Sequence, residues 1–144
     1  MDYKNNKITD ISKIEFYSIL HDCVVGKIYY KNESLSFDIW NDFKFIGKPK
    51  YNLNIPLNGE LEDCMNIYNY KFVNYGDIQG NVNDCDIIFD DSFKFQIIDI
   101  GYMYNTIFFK GSIIDSNGNS DRNYIIIEIA IEENFDKLIL KAVV

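Results

Sequence analysis

The stretch "YNLNIPLNGELEDCMNIYNYKF", residues 51–72, carries the reading of the fold. In its first half Tyr51, Leu53, Ile55 and Leu57 alternate with Asn52, Asn54 and Pro56. Successive side chains of a strand leave opposite faces of the pleat, so a period of two reads as a strand with one apolar face. Asn58-Gly59 follows, and both residue types tolerate positive φ, which is the signature of a tight hairpin turn. The expectation is therefore a hairpin joining 51–57 to a second strand within 62–73.

The same alternation recurs outward from this point. In "ESLSFDIW" Leu35, Phe37 and Ile39 point one way, and Ser36, Asp38 and Trp40 point the other. In "RNYIIIEIAIEE" Ile125, Ile127, Ile129 and Ile131 form one face. "KNES" at 31–34 and "DSNGNSD" at 115–121 are turn sequences that join flanking runs into hairpins. Strands are expected near 23–30, 35–40, 43–46, 51–57, 62–73, 86–90, 93–100, 104–114, 122–132 and 137–143. "TDISKIEFYSIL" is read as a short helix, with Asp10 as a cap and Ser12 and Glu15 at capping-box spacing. The fold class is all-β: one antiparallel domain over 1–144, a sandwich or partly closed barrel of about eight to ten strands.

Composition narrows the function classes. The chain has 144 residues, 47% of them hydrophobic and 16% aromatic, and a formal net charge of −8. A phosphate backbone or an anionic membrane surface is repelled by that charge, so neither nucleic acid nor membrane is an expected partner. A basic protein is attracted, and its encounter is accelerated. Cys23, Cys64 and Cys85 lack C-x-x-C spacing, and the opening "MDYKNNKITDISK" has no apolar signal core. Reduced thiols in the cytoplasm are expected.

Candidate chemistry is sparse. His21, the only histidine, is followed by Asp22 and Cys23. A nucleophilic triad needs a base oriented by a carboxylate and set beside the nucleophile, and neighbours on a strand diverge. His21 and Asp22 are accordingly read as structural, satisfying backbone groups where the chain enters the sheet. No catalytic residue, metal site or cofactor is expected, and no phosphate loop or metalloprotease motif occurs.

Asp84, Asp86, Asp90, Asp91 and Asp99 form an acidic run, with Asp84, Asp86 and Asp90 expected on one side of a strand at 86–90 and Asp91 at its end. Such a row can meet cationic side chains of a partner, hold a hard cation, or guard a sheet edge. Tyr68, Tyr70 and Tyr75 lie beside it in sequence and are candidate protein-binding anchors. Asp115, Asn117, Asn119 and Asp121 alternate oxygen-bearing side chains, but Gly118 is misplaced for a calcium loop, and a hairpin loop is expected. "FKFIGKPKY" interleaves Lys44, Lys48 and Lys50 with Phe43, Phe45 and Tyr51, and is read as a soluble connection.

Leu20, His21, Asp22, Val25, Ile28, Leu35, Phe37 and Ile39, spanning "LHD", "VVGKIYY" and "SLSFDIW", give a resemblance. This opening resembles that of small β-rich bacterial immunity proteins of polymorphic toxin systems, over residues 17–40. The resemblance implies a cytoplasmic, non-enzymatic inhibitor that binds a basic toxin or enzyme and occludes it. Two alternatives stand beside it. One is a small-molecule-binding barrel with a pocket lined by Phe37, Phe95 and Phe109. The other is a scaffold subunit of an oligomeric assembly.

Overall fold

The structure, a computed structural model, describes residues 7–8, 13–57, 59–73, 77–103, 105–115, 117–119, 123–131 and 138–143. It is antiparallel and all-β apart from short helices. In chain order the elements are β1 (Lys7–Ile8), α1 (Lys13–Leu20), β2 (Val24–Lys31), β3 (Ser34–Trp40) and β4 (Tyr51–Pro56). Then come α2 (Leu61–Cys64), β5 (Met65–Val73), β6 (Asp77–Asn83) and a 3-10 helix, Cys85–Phe89. The chain ends with β7 (Phe95–Met103), β8 (Thr106–Ile113), β9 (Asn123–Ala130) and β10 (Ile139–Ala142).

The ten strands form one sheet in the order β1-β10-β4-β3-β2-β7-β8-β9-β5-β6. Its two halves are joined by a narrow seam, since β2 and β7 pair only through Val24↔Gln96 and Val25↔Phe95. Bulges at Val25/Lys27 and Ile97/Asp99 flank that seam, and a bulge bends its strand and sharpens the twist. The halves fold toward each other, and the core fills the space between them. Phe37 of β3 meets Phe95 of β7 edge to face, and Leu35, Ile39, Leu53, Ile55, Ile67, Ile97, Ile125, Ile127 and Ile129 are fully buried around them. Each such side chain contributes about 1.5–3 kcal/mol through removal from water. The odd-numbered isoleucines of β9 face inward, as their alternation requires.

Helix α1 drops Phe16 and Leu20 into this core and ends at His21-Asp22. Asp10 and Ser12 lie outside the described residues. The turn at 32–33 closes β2 onto β3, with Asn32 at φ 52° and Glu33 at φ 59°, as a tight hairpin demands. The loop from 114 to 122 likewise joins paired strands β8 and β9.

Several expectations are corrected. Asn58-Gly59 does not close a hairpin: β4 pairs with β3 and β10, while β5 pairs with β9 and β6. Asn58 lies outside the described residues, Gly59 sits at φ 144°, and residues 61–64 coil into α2. The chain here crosses from one half of the sheet to the other. Residues 43–46 are a turn and not a strand, because Phe45 at φ 51° and Gly47 at φ 72° reverse the backbone. Residues 86–89 are not a strand but part of the 3-10 helix, held by its buried Ile88, with Asp90 as its C-cap. A strand at 77–83 was not foreseen, since "DIQGNVN" has few apolar residues. Finally, both faces of β3 are buried: Ser36 and Asp38 are covered along with their apolar neighbours, and only the end residues Ser34 and Trp40 are half-buried.

Candidate functional site

The helical turn α2 and the 3-10 helix stand against the start of β5 and enclose a cleft. Glu60 starts α2, its carbonyl accepting from the N–H groups of Asp63 at 3.0 Å and Cys64 at 3.1 Å. Cys64 is buried, which turns Glu62 and Asp63 to the outside. The 3-10 helix is fastened at two points. Ile88 plugs into the core, and the Cys85 thiol donates to the Met65 carbonyl at 3.3 Å. Anchored this way, Asp84 and Asp86 stay exposed on either side of Cys85.

The cleft has a volume of about 360 Å³ and is lined by Glu62, Met65, Asn66, Ile67, Asp84, Cys85 and Asp86. Three carboxylates therefore share one concavity, and among the described residues no cationic side chain lines it. Their field is visible in the thiol beside them. Burial pushes the Cys85 thiol up from its ordinary value of 9.0, and Asp86, Glu62 and Asp84 push it further. Among the described residues no three His, Cys, Asp or Glu side chains are disposed to hold a metal ion.

The acidic run is thus divided. Asp84 and Asp86 reach the cleft, whereas Asp90 and Asp91 belong to the turn that follows. The Asp90 carboxylate accepts from the Ser92 hydroxyl at 2.6 Å and the Ser92 N–H at 2.8 Å, which holds its carboxyl below the ordinary 3.8. The Asp91 carbonyl accepts from Lys94 at 3.2 Å. Asp99 lies in the β7 bulge, in register with Lys110. Glu62 was missed by the sequence reading, which ran its segment as strand; the acidic "ELED" before Cys64 was the available signal.

Strand β5 continues from the cleft. Asn66, Tyr68 and Tyr70 share one of its faces, opposite buried Met65 and Ile67. Tyr70 stacks on Tyr124 of β9 with centroids 5.2 Å apart and planes 20° apart. Tyr75 lies outside the described residues.

The histidine segment ends a helix. His21 N–H donates to Tyr17 at 2.8 Å, and Asp22, at φ 67°, donates through its N–H to Ile97 at 3.0 Å. Gln96 donates its side-chain amide to the Asp22 carbonyl at 3.2 Å. These backbone groups are met by Tyr17, Ile97 and Gln96 and not by the imidazole or the Asp22 carboxylate, a correction to the expected part of those side chains. The two side chains instead meet each other, His21 Nδ1 to Asp22 Oδ2 at 3.1 Å, and the imidazole leans on the Tyr17 ring. Both are exposed, and the neighbouring Cys23 thiol is buried and donates to the Ile19 carbonyl at 3.4 Å. Burial pushes that thiol up.

The lysine-aromatic loop packs its rings rather than presenting them as a platform. Phe45 lies edge to face on Trp40, beneath the Lys94 ammonium at 4.8 Å from its centroid. A Cβ on Gly118 would come within 2.6 Å of Phe43, so that ring is seated on Gly118. That loop is itself an Asp115-centred turn: its carboxylate accepts from Asn117 N–H at 2.8 Å and Asn119 N–H at 3.0 Å. Phe37, Phe95 and Phe109, the expected pocket lining, are wholly buried against one another.

A polar cluster not foreseen from sequence lies across β2, β3 and β4. Asn52 donates to the Asp38 carboxylate at 2.9 Å and to the Tyr29 hydroxyl at 3.2 Å, and Asn54 donates to Ser36 at 3.3 Å.

The fold and site define an antiparallel all-β protein with an acidic surface cleft. No family model matches the chain, and neither a curated protein nor a solved structure matches it. Among the described residues no helix is long and apolar enough to cross a membrane.

Proposed function

We propose that the chain is a protein-binding module of the immunity type, which captures a basic toxin or enzyme and silences it by occlusion. The observation that carries this reading is the convergence of Glu62, Asp84 and Asp86 on one cleft that, among the described residues, has no cationic side chain in its lining. A lysine or arginine from a partner would enter a concavity already polarised for it, and the wider charge of −8 would steer the encounter. Tyr68 and Tyr70, on the same face of β5 as Asn66, extend the surface with the aromatic residues that anchor interfaces. The reading needs no catalytic group, and Cys23, next to the exposed His21-Asp22 pair, is buried and bonded.

The test is titration calorimetry against the products of the genes adjoining this one, with growth rescue in cells producing them. A basic product should bind, and its association rate should fall as salt rises. Glu62→Lys combined with Asp86→Lys should weaken that binding by at least about tenfold, since like charges then face each other. Binding that ignores both salt and these substitutions would reject the acidic cleft as the interface. Absence of any basic partner among those products would reject the immunity reading.

A further inference from the structure

The sheet ends on β6, and among the described residues no strand pairs its outer side. Its seven residues, Asp77–Asn83, keep an unbroken register with β5 from Val73↔Asp77 to Ile67↔Asn83. A strand so placed presents a row of backbone N–H and C=O groups to any chain that can lie beside it. Proteins blunt such edges with lysine, proline or a bulge. "DIQGNVN" contains neither lysine nor proline, and its ladder has no bulge.

The sequence of β6 is also complementary to itself. Set antiparallel to a second copy about a two-fold axis at Gly80, Ile78 stands opposite Val82, Gln79 opposite Asn81, and Asp77 opposite Asn83. By residue type alone, that register places β-branched opposite β-branched, amide opposite amide, and the single carboxylate opposite an amide. A slip of one residue either way sets Ile78 against Asn81 or Asn83 and loses every match. This alignment sets more like residue types opposite one another than any shifted one.

Gly80 supplies an independent observation. Glycine weakens a strand interior and commonly marks a place where another backbone approaches closely. Its own chain does not require glycine there. A Cβ at this position would sit at ordinary contact distance, 3.6 Å from the Asn69 carbonyl oxygen and 3.8 Å from Tyr70 Cβ. The close approach it permits lies on the axis of the self-paired strand.

We propose that β6 is a self-association edge, through which two copies of this chain pair β6 to β6 antiparallel about Gly80 and join their sheets into one. The contact is isologous, so it closes at the dimer and does not propagate into a fibre. It uses the opposite end of the sheet from β1, leaving the β1 edge free of the contact.

Sedimentation equilibrium of the full chain tests this, with charge variants at the paired positions. The unaltered chain should reach twice the mass of one chain at high micromolar concentration. Gln79→Lys with Asn81→Lys places lysine opposite lysine twice across the axis, and Gln79→Glu with Asn81→Glu does the same with carboxylates. Each variant alone should sediment as a monomer, and an equimolar mixture should regain the dimer mass, because every opposed pair is then of opposite sign. A monomeric unaltered chain, or a lysine variant that stays dimeric, or a mixture of two folded variants that stays monomeric, would overturn the proposal. Should either variant fail to fold by circular dichroism, hydrogen exchange on the unaltered chain decides. The β6 amides should gain protection as protein concentration rises, and protection independent of concentration would overturn the pairing.

Discussion

Phe37 on β3 and Phe109 on β8 stand 5.2 Å apart between ring centroids, although β2 and β7 lie between their strands in the sheet. Three strand spacings in a flat sheet would separate them by about 14 Å. The sheet is therefore folded over at the β2–β7 seam, and these two rings bridge the fold. Both are fully buried, so truncating either leaves a cavity as well as removing apolar area. Phe37→Ala and Phe109→Ala should each destabilise the protein by about 3–5 kcal/mol in urea unfolding. The double variant should lose less than the sum, with a coupling of about 0.5–1.5 kcal/mol from the ring pair. Strict additivity would mean that the two halves do not share one core.

Gly26 is the extra residue of the β2 bulge, and a Cβ there would come within 2.6 Å of both Phe45 and Trp40. Two rigid rings cannot yield as a flexible side chain would. Gly26→Ala should expel them, costing about 1–3 kcal/mol, the usual penalty of forcing an atom into a packed site. It should also free the Lys94 ammonium, which donates to the Gly26 carbonyl at 2.9 Å while covering the Phe45 ring. Trp40 is the only tryptophan, so the change is readable as a red shift of its emission. An unchanged spectrum with unchanged stability would contradict the seating of the 41–50 loop on Gly26.

How much of this was legible beforehand follows from which residues speak locally. The strands of the core were readable because β3 and β4 alternate strictly and β9 repeats isoleucine at every second position. The short turns at 32–33 and 114–119 were readable because their residue types tolerate the required φ. Asn58-Gly59 misled because a turn sequence permits a hairpin but does not choose the strand's partner, and β5 finds β9 and β6 instead. The cleft was half legible. Asp84 and Asp86 were found as charges, but their strand was a 3-10 helix, and Glu62 joins them only through the crossing of α2 against β5. Convergence of that kind is a tertiary fact.

The buried polar cluster on β3 and β4 was hidden for a related reason. Alternation sorts residues onto two faces but does not say that both are covered. Asn52 is buried and divides its amide between Asp38 and Tyr29. Asn52→Ala should cost about 1–3 kcal/mol, because a buried carboxylate loses a donor that water cannot replace. Asn52→Asp should cost more, since it sets a second carboxylate at the Asp38 register position and removes the donor at once. Thermal unfolding at neutral and mildly acid pH checks the second variant. Its deficit should shrink as pH falls and one of the paired carboxyls takes up a proton. A pH-independent deficit would show that packing, and not charge, sets the cost.

The Cys85 thiol reports on the cleft without any partner being known. Its pKa is raised first by burial and then by Asp86, Glu62 and Asp84, so at neutral pH it holds less thiolate than an ordinary cysteine. Only the thiolate is alkylated, so iodoacetamide should label Cys85 slowly at pH 7 and faster above the ordinary value of 9.0. Asp86→Asn removes the largest of the carboxylate contributions, which lowers the pKa and should accelerate labelling at pH 7. Ser at position 86 should act like Asn, while Asp86→Glu should leave the rate nearly unchanged. Peptide-resolved mass spectrometry separates Cys85 from Cys23 and Cys64, both of which are buried. If neutralising Asp86 left the rate unaltered while burial of the thiol was preserved, the carboxylates would not be acting on a shared cleft. The charge argument for a cationic guest would then lose its support.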